Sequence, residues 1–337
     1  MKNKINIGVI GLGVGLNYLK VLDSNKYIGK IYVFDFNKKK LELVKIKYKN
    51  VQICNSSDEI LLNKSINLVC IASYDSYHFE QTIKSIKNNK HIFVEKPLCL
   101  KLSELKTIFK LIKKKNLFLS SNFNLRSSEI FKNLKKKIYK EKKNKVYYLE
   151  GDYNSGRLKK ITHGWRSKEK YHSIILSSAI HIIDIICWIL DEFPIEVSGF
   201  SNKIVTKNTN FKYDDFVVGI FRFKGNILCK ITANIGCVYP HFHKISIYSK
   251  DKTYEQNLLG SVLVSKSKQD IRINKIKNDY RERNRNEILD NFINNLSNKN
   301  KSDLLIDSSN IFKIMNICFA FIDSIKKNRK IKINYFK

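Results

Sequence analysis

Short apolar runs alternate with longer amphipathic ones through the first third of the chain. Residues 5–10 (INIGVI) read as a strand, 16–22 as a helix, 31–34 as a second strand and 38–47 as a second helix. The alternation continues with a strand at 67–72 (NLVCIA), a helix at 77–88, a strand at 91–94, a helix at 103–114 and a strand at 118–121. Strands this apolar, each followed by a helix, belong to a parallel sheet covered on both faces. Right-handed crossovers make such a sheet doubly wound. After residue 122 the rhythm changes. A basic helix at 129–139 leads to a strand at 146–153, an irregular stretch and a strongly apolar helix. Strands at 196–201, 216–223, 227–235 and 244–249 follow, with Lys224, Gly225 and Asn226 as one turn. Helices at 286–296 and 309–326 and a strand at 330–334 end the chain. The pattern predicts an α/β protein, with a doubly wound parallel sheet over 1–122. Over 123–337 it predicts an α+β domain with a largely antiparallel open sheet.

The apolar helix carries the oddest pattern. Around SSAIHIID (177–184) isoleucines and leucines fill most positions, yet Ser177, His181, Asp184 and Trp188 recur at helical spacing as one stripe. About 20 mostly apolar residues can cross a bilayer. Two aligned ionisable groups in mid-span would need other spans around them, and no second such segment exists. The segment therefore reads as a buried helix with one polar stripe, either a core histidine satisfied by a carboxylate or part of a site.

Composition narrows the field. A chain of 337 residues with 43% hydrophobic content can build two cored domains. The start, MKNKINIGVIGLG, enters a strand directly and lacks the features of a signal peptide. Seven cysteines show no C-x-x-C spacing and mostly occupy apolar stretches. That fits reduced thiols in a cytoplasmic protein, with no metal site and no disulfide framework. The 63 Lys and Arg against 30 Asp and Glu give a net charge of +33 and raise nucleic acid as a partner. Lysines are nevertheless spread over nearly every element, and the runs at 113–115 and 135–137 fall on amphipathic helices, where a charge run is a solvated face. An anionic small molecule suits the charge better than nucleic acid or a membrane.

GLGVG, spanning Gly11, Gly13, Val14 and Gly15, follows the first strand and opens the first helix. Such a turn lets backbone N–H groups and the helix N-terminus meet a pyrophosphate. Leu16 stands where the G-x-G-x-x-G pattern has its last glycine. Asp35 ends the second strand, where a carboxylate accepts bonds from ribose hydroxyls. With Phe36 and Asn37 following and no arginine, NAD(H) is favoured over NADP(H). FVEKPL (93–98) then places Glu95 and Lys96 at the carboxyl edge of the sheet, with Pro97 restricting Lys96.

With these motifs in this order, the chain resembles the glucose–fructose oxidoreductase/inositol dehydrogenase (Gfo/Idh/MocA) family. The resemblance rests on GLGVG with Asp35, on VCIASYDSYHFEQTIKSIKNNKHIFVEKPL, on the helix of His181 and Asp184, and on the closing SIKKNRKIKI. It covers nearly the whole chain. It implies an N-terminal Rossmann domain, a C-terminal substrate-binding and oligomerisation domain, and a homodimer or homotetramer. The implied reaction is NAD(P)-dependent hydride transfer to or from a hydroxyl or keto group of a sugar, inositol or nucleotide sugar. Ala72, Ser73, His78, Glu95 and Lys96 are implied at the cofactor. Lys96 is also implied at the reacting hydroxyl, His181 as the acid/base and Asp184 as a polyol ligand. Asn122, Arg126, Arg157 and Trp165 are further candidates for the substrate, Arg126 for an anionic substituent. The chain departs from the family pattern D-x-G-x-H-x-x-D, where Ser177 replaces the first aspartate, and Tyr74 and Asp75 replace a Pro-Asn pair. Serine hydrogen-bonds but cannot carry the charge. Ser177 thus leaves open a catalytically weakened dinucleotide- or sugar-binding sensor as the alternative. His241 and His243 are expected at the surface.

Overall fold

The computed structural model describes residues 4–140, 146–266, 270–276, 284 and 286–336. The chain divides into two units, Met1–Asn124 with Asn284–Phe312, and Leu125–Arg283 with Lys313–Lys337. The first unit thus runs to Asn124 and is completed by a later segment that returns to it.

The first unit alternates β1 (Ile5–Ile10), α1 (Gly15–Ser24), β2 (Ile28–Phe34), α2 (Lys38–Lys47), β3 (Val51–Ile53), α3 (Ser57–Leu62) and β4 (Leu68–Ile71). It continues with α4 (His78–Lys87), β5 (His91–Val94), α5 (Leu102–Lys113) and β6 (Leu119–Ser121). All six strands are parallel, in the order β3-β2-β1-β4-β5-β6, the doubly wound arrangement. Their sequences explain this: every residue of β4 is buried, and α5 turns Leu105, Ile108 and Ile112 inward at helical spacing. β3 and α3 have no counterpart in the sequence pattern because both are too short to show a period. The returning segment is held by rings. Phe292 packs on Phe93 at 5.6 Å and on Phe118 at 6.3 Å, and Phe312 packs edge-on against Phe109 at 5.1 Å.

The second unit opens with α6 (Glu129–Lys140), β7 (Val146–Asn154), α7 (Leu158–Thr162) and α8 (Ile180–Leu190). β8 (Glu196–Asn202), β9 (Phe216–Arg222), β10 (Leu228–Asn234), β11 (Phe242–Ser249), β12 (Lys252–Asn257), β13 (Gly260–Lys266) and β14 (Ile271–Ile276) follow. α9 (Glu287–Ser297) lies in the returning segment, the unit division falls within α10 (Ser308–Lys327), and β15 (Ile331–Lys332) comes last. The nine-stranded sheet runs β14-β13-β12-β11-β7-β10-β9-β8-β15, antiparallel except where β10 meets β7. The predicted turn at Gly225, with φ +66°, joins β9 to β10. β12, β13 and β14 extend the sheet beyond the predicted strands. Five of the six β14 residues are exposed, so no alternation marks it.

α8 lies on β7 because Gly151 has no side chain. A Cβ there would stand 2.3 Å from Ile182 Cγ2 and 2.7 Å from Ile186 Cδ1. No helix among the described residues is long and apolar enough to cross a membrane.

Candidate active site

The strand order of the first unit reverses between β1 and β4, and an open α/β sheet takes its ligand outside the strand ends at such a point. Gly11 leaves β1 with φ +94°, and a Cβ on it would stand 2.4 Å from the Ala72 carbonyl oxygen and 2.7 Å from the Ser73 nitrogen. Only glycine makes this turn. Ala72 and Ser73 therefore back the turn through their main chain. At Gly13 a Cβ would meet nothing within 4 Å, so the outer side of the turn is open to close approach. α1 begins at Gly15, and no side chain at Val14 caps it. Its N–H groups and positive dipole end suit an anion. Leu12 N–H donates to Asp35 Oδ2 at 2.5 Å and Asn37 N–H to Oδ1 at 2.7 Å. The carboxylate is thereby fixed beside the turn, with lone pairs remaining for ribose hydroxyls. Glycine turn and carboxylate together fit the pyrophosphate and ribose of a dinucleotide. One detail was invisible in the sequence pattern. Lys40 Nζ comes within 3.8 Å of Asp35 Oδ2, so the carboxylate is not the only charge at this strand end.

Glu95 and Lys96 follow β5, both half-buried. Tyr18 on α1 donates its hydroxyl to Glu95 Oε1, and Asn122 Nδ2 donates to the same oxygen at 2.7 Å. Asn122, expected at the substrate, is only 5% exposed and holds Glu95 instead. Burial, and then the Glu95 charge, pushes the Tyr18 phenol well above its ordinary range, which keeps it a donor. His78, expected at the cofactor, is completely buried. Its Nδ1 lies 2.6 Å from the Pro97 carbonyl oxygen and its Nε2 3.2 Å from that of Ser73. The ring thus ties the Lys96-Pro97 peptide, which is cis, to the loop after β4. His78 positions the edge from behind.

In the second unit the polar stripe divides among several partners. Arg126, in a short 3₁₀ turn before α6, donates from Nε to Asp184 Oδ2 at 3.1 Å and from Nη2 to Oδ1 at 2.6 Å. Their side chains are 3% and 1% exposed. Both residues were expected to touch substrate; the structure makes them each other's partner. Burial pushes the Asp184 carboxyl up, against the downward pull of Arg126. Trp188 covers this pair, with the Arg126 guanidinium 5.9 Å and the Lys135 ammonium 4.9 Å from its ring. His181 turns elsewhere, its ring parallel to Tyr153 at 6.0 Å and 9° and edge-on to His243 at 6.0 Å. Ser177 lies in a π-helical turn, Ile175–Ala179, with its Oγ 3.2 Å from His172 Nε2. Trp165 is half-buried under the Arg166 guanidinium at 4.2 Å, and Arg157 is exposed.

His243 corrects the surface assignment, being 2% exposed. A signal for it was present. His243 and Ile245 share one face of β11 by strand alternation, and Ile245 marks that face as a buried one; His241 lies just before the strand. β11 pairs His243 opposite Tyr153 of β7, which brings both rings to α8. Tyr153 and His172 carried no motif and were not found from sequence.

Comparison with known proteins agrees with this geometry. A family model described as an oxidoreductase family with an NAD-binding Rossmann fold matches residues 5–123, and the GFO/IDH/MocA C-terminal domain model matches 131–255. The myo-inositol 2-dehydrogenase of Thermotoga maritima is 26% identical, over 77% of this chain and 78% of that enzyme. A scyllo-inositol 2-dehydrogenase (NADP(+)) of Bacillus subtilis is 27% identical over 53% of this chain and 50% of its own. The structure of a levoglucosan dehydrogenase in complex with NADH superposes with a TM-score of 0.83 at 16% identity, over 99% of this chain and 100% of that one, which shows a shared fold.

Proposed function

The chain belongs to the Gfo/Idh/MocA family of NAD(P)-dependent oxidoreductases acting on CH–OH groups, and we propose that it acts on a sugar, inositol or nucleotide sugar with Lys96 and His181 handling the reacting oxygen. The observation that carries this reading is the carboxyl edge of the first sheet, with Gly13 open, Asp35 fixed beside it and Lys96 on the neighbouring loop. The nicotinamide, when bound, supplies or accepts the hydride. Gly11, Gly13, Val14 and Gly15 admit the pyrophosphate, Asp35 takes the ribose, and Ala72 and Ser73 form the backbone wall. Lys96 polarises the substrate oxygen, and His181 exchanges its proton. Tyr153 and His243 fix the plane of the His181 ring. Asp35 supports NAD(H) as the preferred cofactor, while Lys40 moderates its repulsion of a 2′-phosphate.

A homodimer or homotetramer forms through the outer face of the large sheet. Phe200 and Ile220 stand on that face with 66% and 45% of their surface exposed, a combination water disfavours. Light scattering that returns a stable 39.5 kDa monomer at micromolar concentration would remove this part of the reading.

The test of the reaction is NADH titration by fluorescence, followed by nicotinamide absorbance with inositols, inososes, levoglucosan and nucleotide sugars. Binding of NADH with oxidation or reduction of at least one of these substrates is expected. A folded protein that binds neither NADH nor NADPH would sink the proposal.

A further inference from the structure

A second opening lies wholly within the second unit, and Lys96, His181 and Tyr153 do not line it. It is a cavity of about 250 Å³ between the residues that lead into the π-helical turn, the loop joining β8 to β9, and the last turns of α10. Its floor is apolar. Ile174, Ile175 and Val217 are buried there, while Ile322 and Ile325, one turn apart on α10, stay half-uncovered beside them. Its walls are held in place. Tyr213 donates its hydroxyl to the Glu169 carbonyl oxygen at 2.8 Å, and its ring packs edge-on against Tyr171 at 6.3 Å and His172 at 6.0 Å. The loop after β8 is thereby tied to the segment ahead of the turn, so the space is pre-formed and little freedom is lost on filling it. The rim carries charge. Lys212 and Lys326 line the cavity and are exposed, and neither ammonium has a hydrogen bond or ion pair among the described residues. Asp214 is the one carboxylate set against them in the lining.

We propose that this cavity is a second small-molecule site, which takes an amphipathic carboxylate with its apolar body on the isoleucines and its anionic end at Lys212 and Lys326. Two ammonium groups against one carboxylate favour an anion over a neutral or cationic ligand of the same shape, and charge-assisted bonds to them are the strong kind. The volume lies just under the roughly 300–1,000 Å³ of pockets for drug-sized ligands, which suits a body of one ring or a short branched chain. Burial raises the Tyr171 phenol, which keeps it protonated as a further donor at the wall. The occupant also bears on the helix that carries His181. His172 lines the cavity at 5% exposure, and its Nε2 lies 3.2 Å from Ser177 Oγ. Ile175, on the floor, is the first residue of the π-helical turn that runs into α8. Such turns are rare and occur mostly at functional sites. A ligand held here presses on the start of α8 as an effector would, without touching Lys96 or His181.

The test uses benzoate, benzyl alcohol and benzylamine, which share a ring and differ in charge. In calorimetric titrations benzoate should bind with a Kd of about 0.1–1 mM, and the other two roughly 10-fold more weakly. The double variant Lys212→Glu with Lys326→Glu should weaken benzoate by roughly 10-fold or more. A second double variant, Lys224→Glu with Lys250→Glu, changes the net charge equally at exposed positions that do not line the cavity, and it should bind benzoate as wild type does. All four lysines are exposed, so both variants should melt as wild type does. In NMR spectra of the histidine rings, benzoate should shift the His172 resonances of wild type and not those of the Lys212→Glu, Lys326→Glu protein. Equal weakening in the two double variants would reduce the binding to attraction by the overall charge and overturn the site. Benzoate that binds no better than benzyl alcohol, or that leaves His172 unmoved, overturns it as well. No arm of the test depends on NADH, so its failure leaves the proposed reaction standing.

Discussion

Removing Arg126 should cost the second unit far more than a surface charge would, and the cost should depend on pH. The guanidinium makes two charge-assisted hydrogen bonds to Asp184, at 3.1 and 2.6 Å, with both side chains almost fully buried. Such bonds contribute about 1.5–3 kcal/mol each, and stripping one partner from a buried pair costs about 3–5 kcal/mol because the other charge is stranded. At about 2–4 °C per kcal/mol, Arg126→Ala should melt roughly 10 °C below wild type near pH 8. The stranded carboxyl has an escape. Burial already raises it above its ordinary value, and loss of Arg126 removes the only pull in the other direction among its causes. A carboxyl raised in the folded state contributes stability below its unfolded pKa, and that contribution is lost as pH rises through the folded pKa. The deficit of Arg126→Ala should therefore be smaller at pH 5 than at pH 8, because lower pH favours the protonated form of the stranded carboxyl. Pairing Arg126→Met with Asp184→Leu should recover most of the loss, since an apolar pair avoids the desolvation. Thermal melts of the three proteins at both pH values decide the matter. An Arg126→Ala protein that melts as wild type at pH 8 would refute the structural role and return both residues to the substrate.

Three further outcomes are expected. His181→Ala should lower kcat by roughly 10²–10⁴-fold while NADH affinity holds, and an early melt with unchanged kcat would instead mark a packing histidine. Gly11→Ala should destabilise by more than about 1 kcal/mol and lose NADH binding, because φ is +94° and the new Cβ meets the backbone of Ala72; a variant that titrates normally with NADH refutes this. His91 is lowered by burial and then by Lys301 from 6.5 to about 4, and its Nδ1 accepts the Phe118 N–H at 3.0 Å. A group lowered in this way contributes stability above its unfolded pKa, so stability should fall from about pH 6.5 toward 4. His91→Asn, which can still accept that N–H, should flatten the fall in pH-dependent melts.

The first sheet was legible, β3 excepted, because central strands such as β4 and β5 are apolar on both faces and each chemical motif lies at a strand end. Gly11, Asp35 and Glu95 needed only position along β1, β2 and β5 to be found. What they touch was not legible. Tyr18 lies 77 residues from Glu95, and Asn122 lies 27 from it. No local period reports such distances. The return of α9 to the first unit was hidden for the same reason, since Phe292 shows an apolar helix face without showing which sheet it covers. In the large sheet the rule that found strands, alternation of buried and exposed residues, failed where β14 buries almost nothing.

The polar stripe of the apolar helix shows where helical spacing stops being a guide. Its residues were identified correctly as the polar positions, but the π-helical turn Ile175–Ala179 adds a residue to one turn. The added residue displaces earlier positions around the axis, so the spacing between Ser177 and His181 no longer guarantees a shared face. Ser177 has its Oγ 3.2 Å from His172 Nε2, and His172 lies five residues before it, packed edge-on against Phe211 and Tyr213. This geometry changes what a carboxylate at position 177 should do. In Ser177→Asp the new charge arises beside His172, where at close range it favours the imidazolium. The His172 ring should therefore titrate at higher pH in the variant, and its shift should exceed that of His181. Two-dimensional NMR of the histidine ring resonances against pH reads both groups in one sample. A larger shift at His181 than at His172 would mean that the stripe keeps its helical register in solution and that position 177 addresses the acid/base directly.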